Sequence, residues 1–439
     1  MKTFAMLLIC LLTGCAGLTQ PQNDSLTEWV LAHRAELDSL SSEAAKIKIR
    51  QFLQNKLTNK KFVFIGESAH YIHEKWPYRA LIMSVLFEMG YTNIINEMGR
   101  FDGKAVDKFL RTGEEVALHK VCLYGMCGGQ QTPTAYGAEE MRFFESIRQS
   151  AVKTGVQLRY YGWDIDPVME NGYASVLADL NSVKASCPAV AGILNKLTRQ
   201  KNETNQQEGD RIFAALTDLN LQKKYFKRCF GVNKYNELFW DIRTMSDSFK
   251  IFGQYFESFA NVEKDPNDVK AKKDMYQIFL LREPTGYDRL RIILENSPED
   301  AKFIGLGHNA HYAKYGAEAT TSYKDMMDGS PLWRVMGEMI ESNHPGETFH
   351  IWMGAGQGAY GSSEKPCDGD AVCPAPPVVG TLEEKFVRVS KSPWIVSLAN
   401  APLPKLVETS IHMFNKDPIN LKKAADAYFF IPTTTVMTK

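Results

Sequence analysis

Short runs of apolar residues alternate along this chain with longer segments in which apolar residues recur every three to four positions. A continuous run of β-branched and aromatic residues is typical of a buried parallel strand, whereas a period of about 3.6 residues is typical of an amphipathic helix. The runs that predict strands lie at residues 62–65, 91–96, 156–163, 301–307, 348–353 and 427–431. Their alternation with helices predicts an α/β fold whose central, mainly parallel sheet is flanked by helices.

Helical periodicity fills most of the intervals between these strands. The predicted helices lie at residues 26–57, 81–89, 102–110, 139–154, 287–294 and 331–341. The segment from about 171 to 283 is long, charged and helical in pattern, and it contains no clear strand. We therefore expect a large helical insertion that lies over the carboxyl edge of the sheet.

Acidic residues and histidines follow the ends of four predicted strands. The carboxyl ends of parallel strands share one edge of the sheet, which is where open α/β proteins bind ligands. We therefore expect these side chains to converge, together with two nearby arginines. The candidate site residues are Glu67, His70, Arg79, Glu97, Arg100, Asp164, His308 and His311.

Histidines and carboxylates in this position are suited to activating water. His70 is the predicted general base, because an imidazole titrates near neutral pH and a nearby carboxylate can orient it. Glu67 or Glu97 is expected to orient the base or to hold the water. Arg100 is expected to neutralise an oxyanion or to bind a carboxylate, and Arg79 is included as a possible inward-facing cation. No serine lies in a Gly-x-Ser-x-Gly sequence, so a serine nucleophile is not supported.

Each of these residues also has a purely structural interpretation. His70 would then be a hydrogen-bonded core histidine, and His308 and His311 would face solvent at a helix N-terminus. Arg100 would be a surface cation, and Asp164 would cap a helix. The sequence leaves both interpretations open.

Metal binding is an alternative use of the same side chains. Three histidines and three carboxylates would satisfy Zn²⁺ or Mn²⁺, but they come from separate strands and no His-Glu-x-x-His helix is present. No cofactor is therefore predicted, and a divalent metal remains the alternative.

The charge balance gives no sign of a polyanionic partner. The 439 residues include 51 basic and 51 acidic side chains, so the formal net charge is zero. A nucleic-acid partner is therefore not expected, and a small molecule is the expected partner.

The first residues resemble a bacterial export signal. A positive start and an apolar segment lead into Leu12-Thr13-Gly14-Cys15, which resembles a lipobox. We expect residues 1–15 to be a lipoprotein signal peptide, residues 16–25 a tether and residues 26–439 the folded domain, with membrane contact through a lipid on Cys15. Ala16, where an aspartate would favour the inner membrane, predicts an outer-membrane protein that faces the periplasm. An ordinary secretory signal is the alternative.

An exported protein meets an oxidising compartment, in which disulfides form. Six cysteines remain beyond the signal segment, and two pairs are close in sequence, which leaves the third pair by elimination. The predicted disulfides are Cys122 with Cys127, Cys367 with Cys373 and Cys187 with Cys229.

Five short motifs occur in the order and at the approximate spacing seen in the erythromycin esterase family. They are Gly66-Glu67-Ser68-Ala69-His70, Glu97, Tyr161-Gly162-Trp163-Asp164, Gly307-His308-Asn309-Ala310-His311 and Asp426-Ala427-Tyr428-Phe429-Phe430-Ile431. The resemblance covers most of residues 61–434. In place of the family's arginine-rich, methionine-containing helix before the fourth strand, this chain has only residues 282–288.

The resemblance implies a central parallel sheet with an overlying helical part, and hydrolysis of macrolide lactones by a histidine base without an obligatory metal. It implies that His70 is the base, that Glu67 and Glu97 are its acidic partners, and that His308 and His311 lie at the cleft. We expect an esterase-type hydrolase of unknown ester substrate rather than a true macrolide esterase. The alternatives are a surface lipoprotein that binds a ligand, haem or metal through the same histidines, and an inactive relative.

Overall fold

The computed structural model describes residues 25–121, 135–165, 170–265, 268–316, 333–361, 373–411 and 415–438. The predicted signal peptide with Cys15 lies outside these ranges. So do Cys122, Cys127 and Cys367, and two of the predicted disulfides therefore stay predictions.

The described chain contains one large sheet and one small sheet. The strands are β1 Ala35–Glu36, β2 Phe62–Ile65, β3 Tyr91–Gly99, β4 Arg159–Asp164, β5 Lys302–Leu306, β6 Thr348–Tyr360, β7 Cys373–Ala375, β8 Trp394–Ser397, β9 Val407–Ile411, β10 Asn415–Ile419 and β11 Ala427–Thr434. In the large sheet the order is β1-β8-β11-β6-β2-β5-β3-β4, with β7 on β6, and β9 and β10 form the small sheet.

All six strands that the apolar runs predict are present, and each is parallel to its neighbours among the six. This confirms the mainly parallel sheet. The large sheet also contains antiparallel strand pairs, and these involve strands that the sequence did not predict. Strand β8 is antiparallel to β11, β1 is antiparallel to β8, and β7 is antiparallel to β6.

Helices cover the sheet. They are α1 Ser25–His33, α2 Glu43–Gln54, α3 Lys75–Glu88, α4 Arg100–Thr112, α5 Ala135–Thr154, α6 Glu170–Val183, α7 Val190–Leu197, α8 Asn205–Leu221, α9 Lys223–Phe230, α10 Val232–Lys264, α11 Val269–Glu295, α12 Met336–Asn343, α13 Leu382–Val389 and α14 Leu421–Ala424. A 3₁₀ helix covers Glu115–Lys120. None of the described helices is both long enough and apolar enough to cross a bilayer.

The single helix predicted over residues 26–57 is wrong. Helix α1 ends at His33, β1 follows, and α2 begins after Ser42, whose hydroxyl accepts a hydrogen bond from the Ala45 amide at 3.0 Å. The N–H of Leu37 donates to the carbonyl of Pro393 at 2.8 Å, next to the pairing of β1 with β8. Serine favours the N-cap over the helix interior, which explains why the helical pattern breaks here.

Helices α6 to α11 lie between β4 and β5 in sequence, where the helical insertion is predicted. The predicted helix at residues 287–294 is the C-terminal part of α11 rather than a separate element. Cys187, after α6, and Cys229, in α9, form a disulfide, which confirms that predicted pair. Helices α6 to α10 share an apolar core of their own, and α11 lies against the carboxyl end of β4.

Candidate active site

The order of the strands explains why residues that are far apart in sequence meet. Strands β2, β5, β3 and β4 are consecutive in the sheet, and their carboxyl ends lie at one edge. The segment after β2 carries Glu67 and His70, and the segment after β5 carries His308 and His311. Glu97 lies near the end of β3.

Glu67 and His70 form a hydrogen-bonded pair. Nδ1 of His70 lies 2.5 Å from Oε1 of Glu67. The other carboxylate oxygen, Oε2, forms ion pairs with Nη1 of Arg79 at 2.8 Å and with Nζ of Lys75 at 3.2 Å. Arg79 also donates from Nη2 to the carbonyl of Gly307 at 3.0 Å, which ties the pair to the end of β5. One oxygen of Glu67 therefore orients the imidazole, while the other binds two cations.

The charge of Glu67 is set by these partners. Burial alone would raise the pKa of Glu67, but Arg79, Lys75 and His70 together outweigh burial and hold that pKa well below its ordinary value. Glu67 is therefore ionised throughout the neutral range. Because an ionised carboxylate only accepts hydrogen bonds, it keeps a proton on Nδ1 of His70.

Lys75 is completely buried. Burial lowers the pKa of Lys75 to about 8, although Glu67 and Glu140 oppose this effect. Its ammonium donates to the hydroxyl of Tyr136 at 2.9 Å and lies over the rings of Trp76 and Tyr136. These contacts fix the cation beside Glu67.

His308 faces His70, with ring centroids 5.6 Å apart. Its Nδ1 accepts a hydrogen bond from the amide of Ala310, and its Nε2 lies 3.2 Å from the carbonyl of Ser68. This arrangement places the proton of His308 on Nε2. The neighbouring Asn309 is bonded through its side chain to both backbone groups of Met353, in β6. The turn that carries the histidines is thereby fixed to the sheet.

Glu97 and Glu283 enclose His311. Nε2 of His311 lies 2.8 Å from Oε1 of Glu97, and Nδ1 contacts Oε1 of Glu283. The remaining oxygen of Glu97 accepts from the amide of His308 at 2.6 Å, and that of Glu283 accepts from the amide of Met336 at 3.0 Å. Burial alone would lower the pKa of His311, but the two carboxylates raise it to about 10. His311 is therefore an imidazolium at neutral pH.

Asp164, at the end of β4, is bound by the helical insertion. Arg282 of α11 donates from Nε to Oδ1 of Asp164 at 2.9 Å, and its Nη2 contacts Oδ2, so the pair is bidentate. Nη2 of Arg282 also lies 3.4 Å from Glu97. Arg289 donates to the carbonyl of Asp164 at 2.8 Å. Helix α11 therefore supplies the cations for the carboxylates at the ends of β3 and β4.

Seven of the eight predicted site residues are connected through these contacts. The exception is Arg100, the first residue of α4. Its Nε donates to Asp241 of α10 at 2.7 Å, and no contact within the described part of the chain joins it to the cluster. Asp241 is completely buried and also binds Lys104, so Arg100 serves to hold α10 on α4. The expectation that Arg100 faces the site is therefore wrong.

Four residues of the cluster were not among the predicted ones. Arg282 and Glu283 lie in the long helix α11. Lys75 lies between the motif that ends at His70 and the predicted helix at residues 81–89, and Asn309 lies inside the motif Gly307–His311. For Arg282 and Glu283 the available signal was the segment at residues 282–288, which stands where the family has an arginine-rich helix. No three His, Cys, Asp and Glu side chains in the described ranges are arranged to hold a metal ion.

Comparison with protein families identifies the family to which this chain belongs. The family model for erythromycin esterase matches residues 87–434. This chain belongs to the erythromycin esterase family. No curated protein matches this family member by sequence. Membership in the erythromycin esterase family supports an esterase-type hydrolase that acts on a small molecule.

Solved structures confirm the erythromycin esterase fold. A histidine-to-asparagine variant of the erythromycin esterase EreC, in its open conformation, is 15% identical and has a TM-score of 0.62, with 88% of this chain and 94% of EreC covered. A protein from Bacillus cereus is 18% identical with a TM-score of 0.68, covering 94% of this chain and 98% of the other. A succinoglycan biosynthesis protein is 13% identical with a TM-score of 0.67, covering 94% and 97%.

Proposed function

We propose that this protein hydrolyses a carboxylic ester or lactone with a water molecule that His70 activates. The observation that carries the proposal is the 2.5 Å contact between Nδ1 of His70 and the ionised Glu67. A carboxylate in this position orients the imidazole and stabilises the imidazolium that forms when the ring accepts a proton.

The environments of the three histidines support His70 as the base. His311 already carries a proton at neutral pH, because two carboxylates raise its pKa to about 10. His308 accepts a hydrogen bond at Nδ1 from its own turn and faces a carbonyl with Nε2. His70 keeps its proton on Nδ1, so Nε2 is the nitrogen that takes a proton from water.

The proposed reaction balances without a further reactant. Water adds to the carbonyl carbon while Nε2 of His70 takes one of its protons, which forms a tetrahedral oxyanion. The carbon–oxygen bond to the alkoxy group then breaks, and the imidazolium of His70 returns the proton to the leaving oxygen. Arg79 binds Glu67 at 2.8 Å and so keeps the carboxylate that orients His70 in place. The products are a carboxylic acid and an alcohol.

Purified protein, His70→Ala and Glu67→Gln should be compared on a panel of aryl esters and macrolide lactones. General-base catalysis is worth roughly 10²–10⁴-fold, so we expect kcat/KM to fall by that factor in His70→Ala. Glu67→Gln should lower kcat/KM on the order of 10²-fold or more, because a neutral amide cannot stabilise the imidazolium.

His73→Ala is the matched control. His73 lies three residues from His70, and its half-exposed side chain contacts Glu139 at 2.9 Å rather than the cluster. We expect wild-type kcat/KM from this variant. Equal turnover by wild type and His70→Ala would remove the proposed base. Absence of turnover on every ester, with tight stoichiometric binding of haem or metal, would replace the hydrolase by a binding protein.

A further inference from the structure

A small pocket connects the Glu67–His70 pair to helix α5. Trp76 and Arg79 of α3 line it together with Glu140 of α5. The free space between the side chains is about that of one water molecule.

Three polar atoms of these lining residues are buried without a hydrogen-bond partner among the described residues. They are Nε1 of Trp76, Nε of Arg79 and Oε2 of Glu140. Leaving a buried polar atom unsatisfied costs about 1–3 kcal/mol, and buried waters that bridge such atoms make about three hydrogen bonds each. Two N–H donors and one carboxyl oxygen match a water that accepts two hydrogen bonds and donates one.

The surroundings of Glu140 raise the pKa of its carboxyl group, whereas those of Glu67 lower it. The side chain of Glu140 is 1% exposed, and its Oε2 has no hydrogen-bond partner within the described ranges. The titratable groups that face Glu140 come from α3, the β2–α3 segment, α4 and β4, and are Lys75, Arg79, Glu67, Asp102 and Tyr160. Burial, reinforced by Asp102 and Glu67, raises the pKa of Glu140 to about 8, although Lys75 and Arg79 oppose this.

We propose that this pocket is a water site in which Glu140, as an uncharged carboxylic acid, holds a buried water together with Trp76 and Arg79. Glu140 is a positioning residue in this arrangement. It acts through the water on Arg79, whose guanidinium binds Glu67 at 2.8 Å and so orients the proposed base. The water site does not depend on which reaction the protein performs.

Infrared spectroscopy tests the charge of Glu140 directly, because a carboxylic acid and a carboxylate absorb at different frequencies. The difference spectrum of wild type minus Glu140→Gln should show a carboxylic acid band at pH 6 that is lost as the pH rises through about 8. Glu383→Gln is the matched control. Glu383 is also buried, its pKa is raised to about 7, and it accepts hydrogen bonds from Tyr428 and Ser410, far from the pocket in sequence. A difference spectrum for Glu140→Gln with only carboxylate bands at pH 6 overturns the proposal.

A high-resolution crystal structure of the wild type tests the water itself. We expect an ordered water within hydrogen-bonding distance of Trp76 Nε1, Arg79 Nε and the Glu140 carboxyl, and the same water in Glu140→Gln, because an amide preserves the bond. Glu140→Met should lose the water. A pocket in which these three atoms bond to protein groups instead, or a water that Glu140→Met leaves unchanged, contradicts the proposal.

Ester hydrolysis separates this inference from the proposed function. Glu140→Met should lower kcat/KM about ten-fold at pH 7, and Glu140→Gln, which preserves the bond to the water, should lower it less. Glu145→Met, on the same helix, should have no effect. If the water and the carboxylic acid are observed but no ester is hydrolysed, only the proposed hydrolase function is refuted. If esters are hydrolysed while Glu140 is ionised, the water site with an uncharged Glu140 is refuted.

Discussion

The imidazolium of His311 connects the sheet to the helical insertion, and its removal should destabilise the fold. It lies 2.8 Å from Glu97 of β3 and contacts Glu283 of α11, and all three side chains are largely buried. His311→Gln preserves a hydrogen-bonding side chain but removes the positive charge. Glu283 then stays in the interior without a cation at its Oε1.

Two estimates give the loss of unfolding free energy that we expect in His311→Gln. Removing one partner of a buried ion pair costs about 3–5 kcal/mol, because the remaining charge is uncompensated. One pKa unit corresponds to about 1.4 kcal/mol, so the rise of the His311 pKa from 6.5 to about 10 is worth roughly 5 kcal/mol. Arg282 still compensates Glu97 in the variant, so we expect a loss near the lower end, about 3 kcal/mol.

The assay is urea unfolding of wild type, His311→Gln, Glu283→Gln and the double variant at pH 6. The double variant carries no uncompensated charge at position 283. It should therefore be less destabilised than the sum of the two single changes, with a coupling of about 1–3 kcal/mol. Additive losses, or a loss below about 1 kcal/mol in His311→Gln, would refute the bridging imidazolium.

The pH dependence supplies an independent check. The pKa of His311 is raised on folding, so its contribution is present in full below pH 6.5 and is lost as the pH rises toward 10. The difference in unfolding free energy between wild type and His311→Gln should therefore shrink from pH 6.5 to 10. A difference that grows over this range would mean that His311 is neutral in the folded protein.

Two further changes test the packing of the site and of the insertion. A Cβ at Gly66 would lie 2.0 Å from Oδ1 of Asn309, so Gly66→Ala should lower the unfolding free energy by about 1–3 kcal/mol in thermal denaturation. Gly192→Ala, where a Cβ meets nothing within 4 Å, should cause no loss, and equal effects would contradict the argument. Replacing Cys187 and Cys229 by serine opens a loop of 42 residues and should cost about 4 kcal/mol in urea unfolding, whereas a loss below about 1 kcal/mol would show that the disulfide is dispensable.

The parallel core of the sheet could be predicted because each strand is encoded locally. A run such as that of β2 is apolar at every position, since both faces of a parallel sheet are covered, and the glycine after it marks its end. The chemistry at the carboxyl edge followed from the same pattern, because Glu67 and His308 come directly after their strands.

The edge of the sheet could not be predicted in this way. Strand β1 has only two residues, and its position depends on pairing with β8, more than 300 positions later in the chain. No local periodicity encodes such a contact. The helical pattern around β1 therefore suggested a continuous helix, although Ser42 gave a local signal for a new helix start.

The positions of two arginines show the same limit at the site. Arg100 follows the end of a predicted strand and was therefore expected at the site, whereas Arg282 was not. As the first residue of α4, however, Arg100 pairs with Asp241, while Arg282, 185 positions from Glu97, binds both Glu97 and Asp164. The sequence shows which residues follow the end of a strand. The packing of α10 and α11 determines which cation binds the carboxylate at that strand end.

The distribution of charge makes the helices part of the site rather than a cover over it. The sheet edge contributes the carboxylates of Glu67, Glu97 and Asp164, and ion pairs from Arg79 of α3 and Arg282 of α11 hold them. Because buried carboxylates without cations are costly, the sheet edge is stable only after both helices have docked. Substitutions in α11 must therefore preserve Arg282, whereas exposed positions of the insertion are free of this constraint.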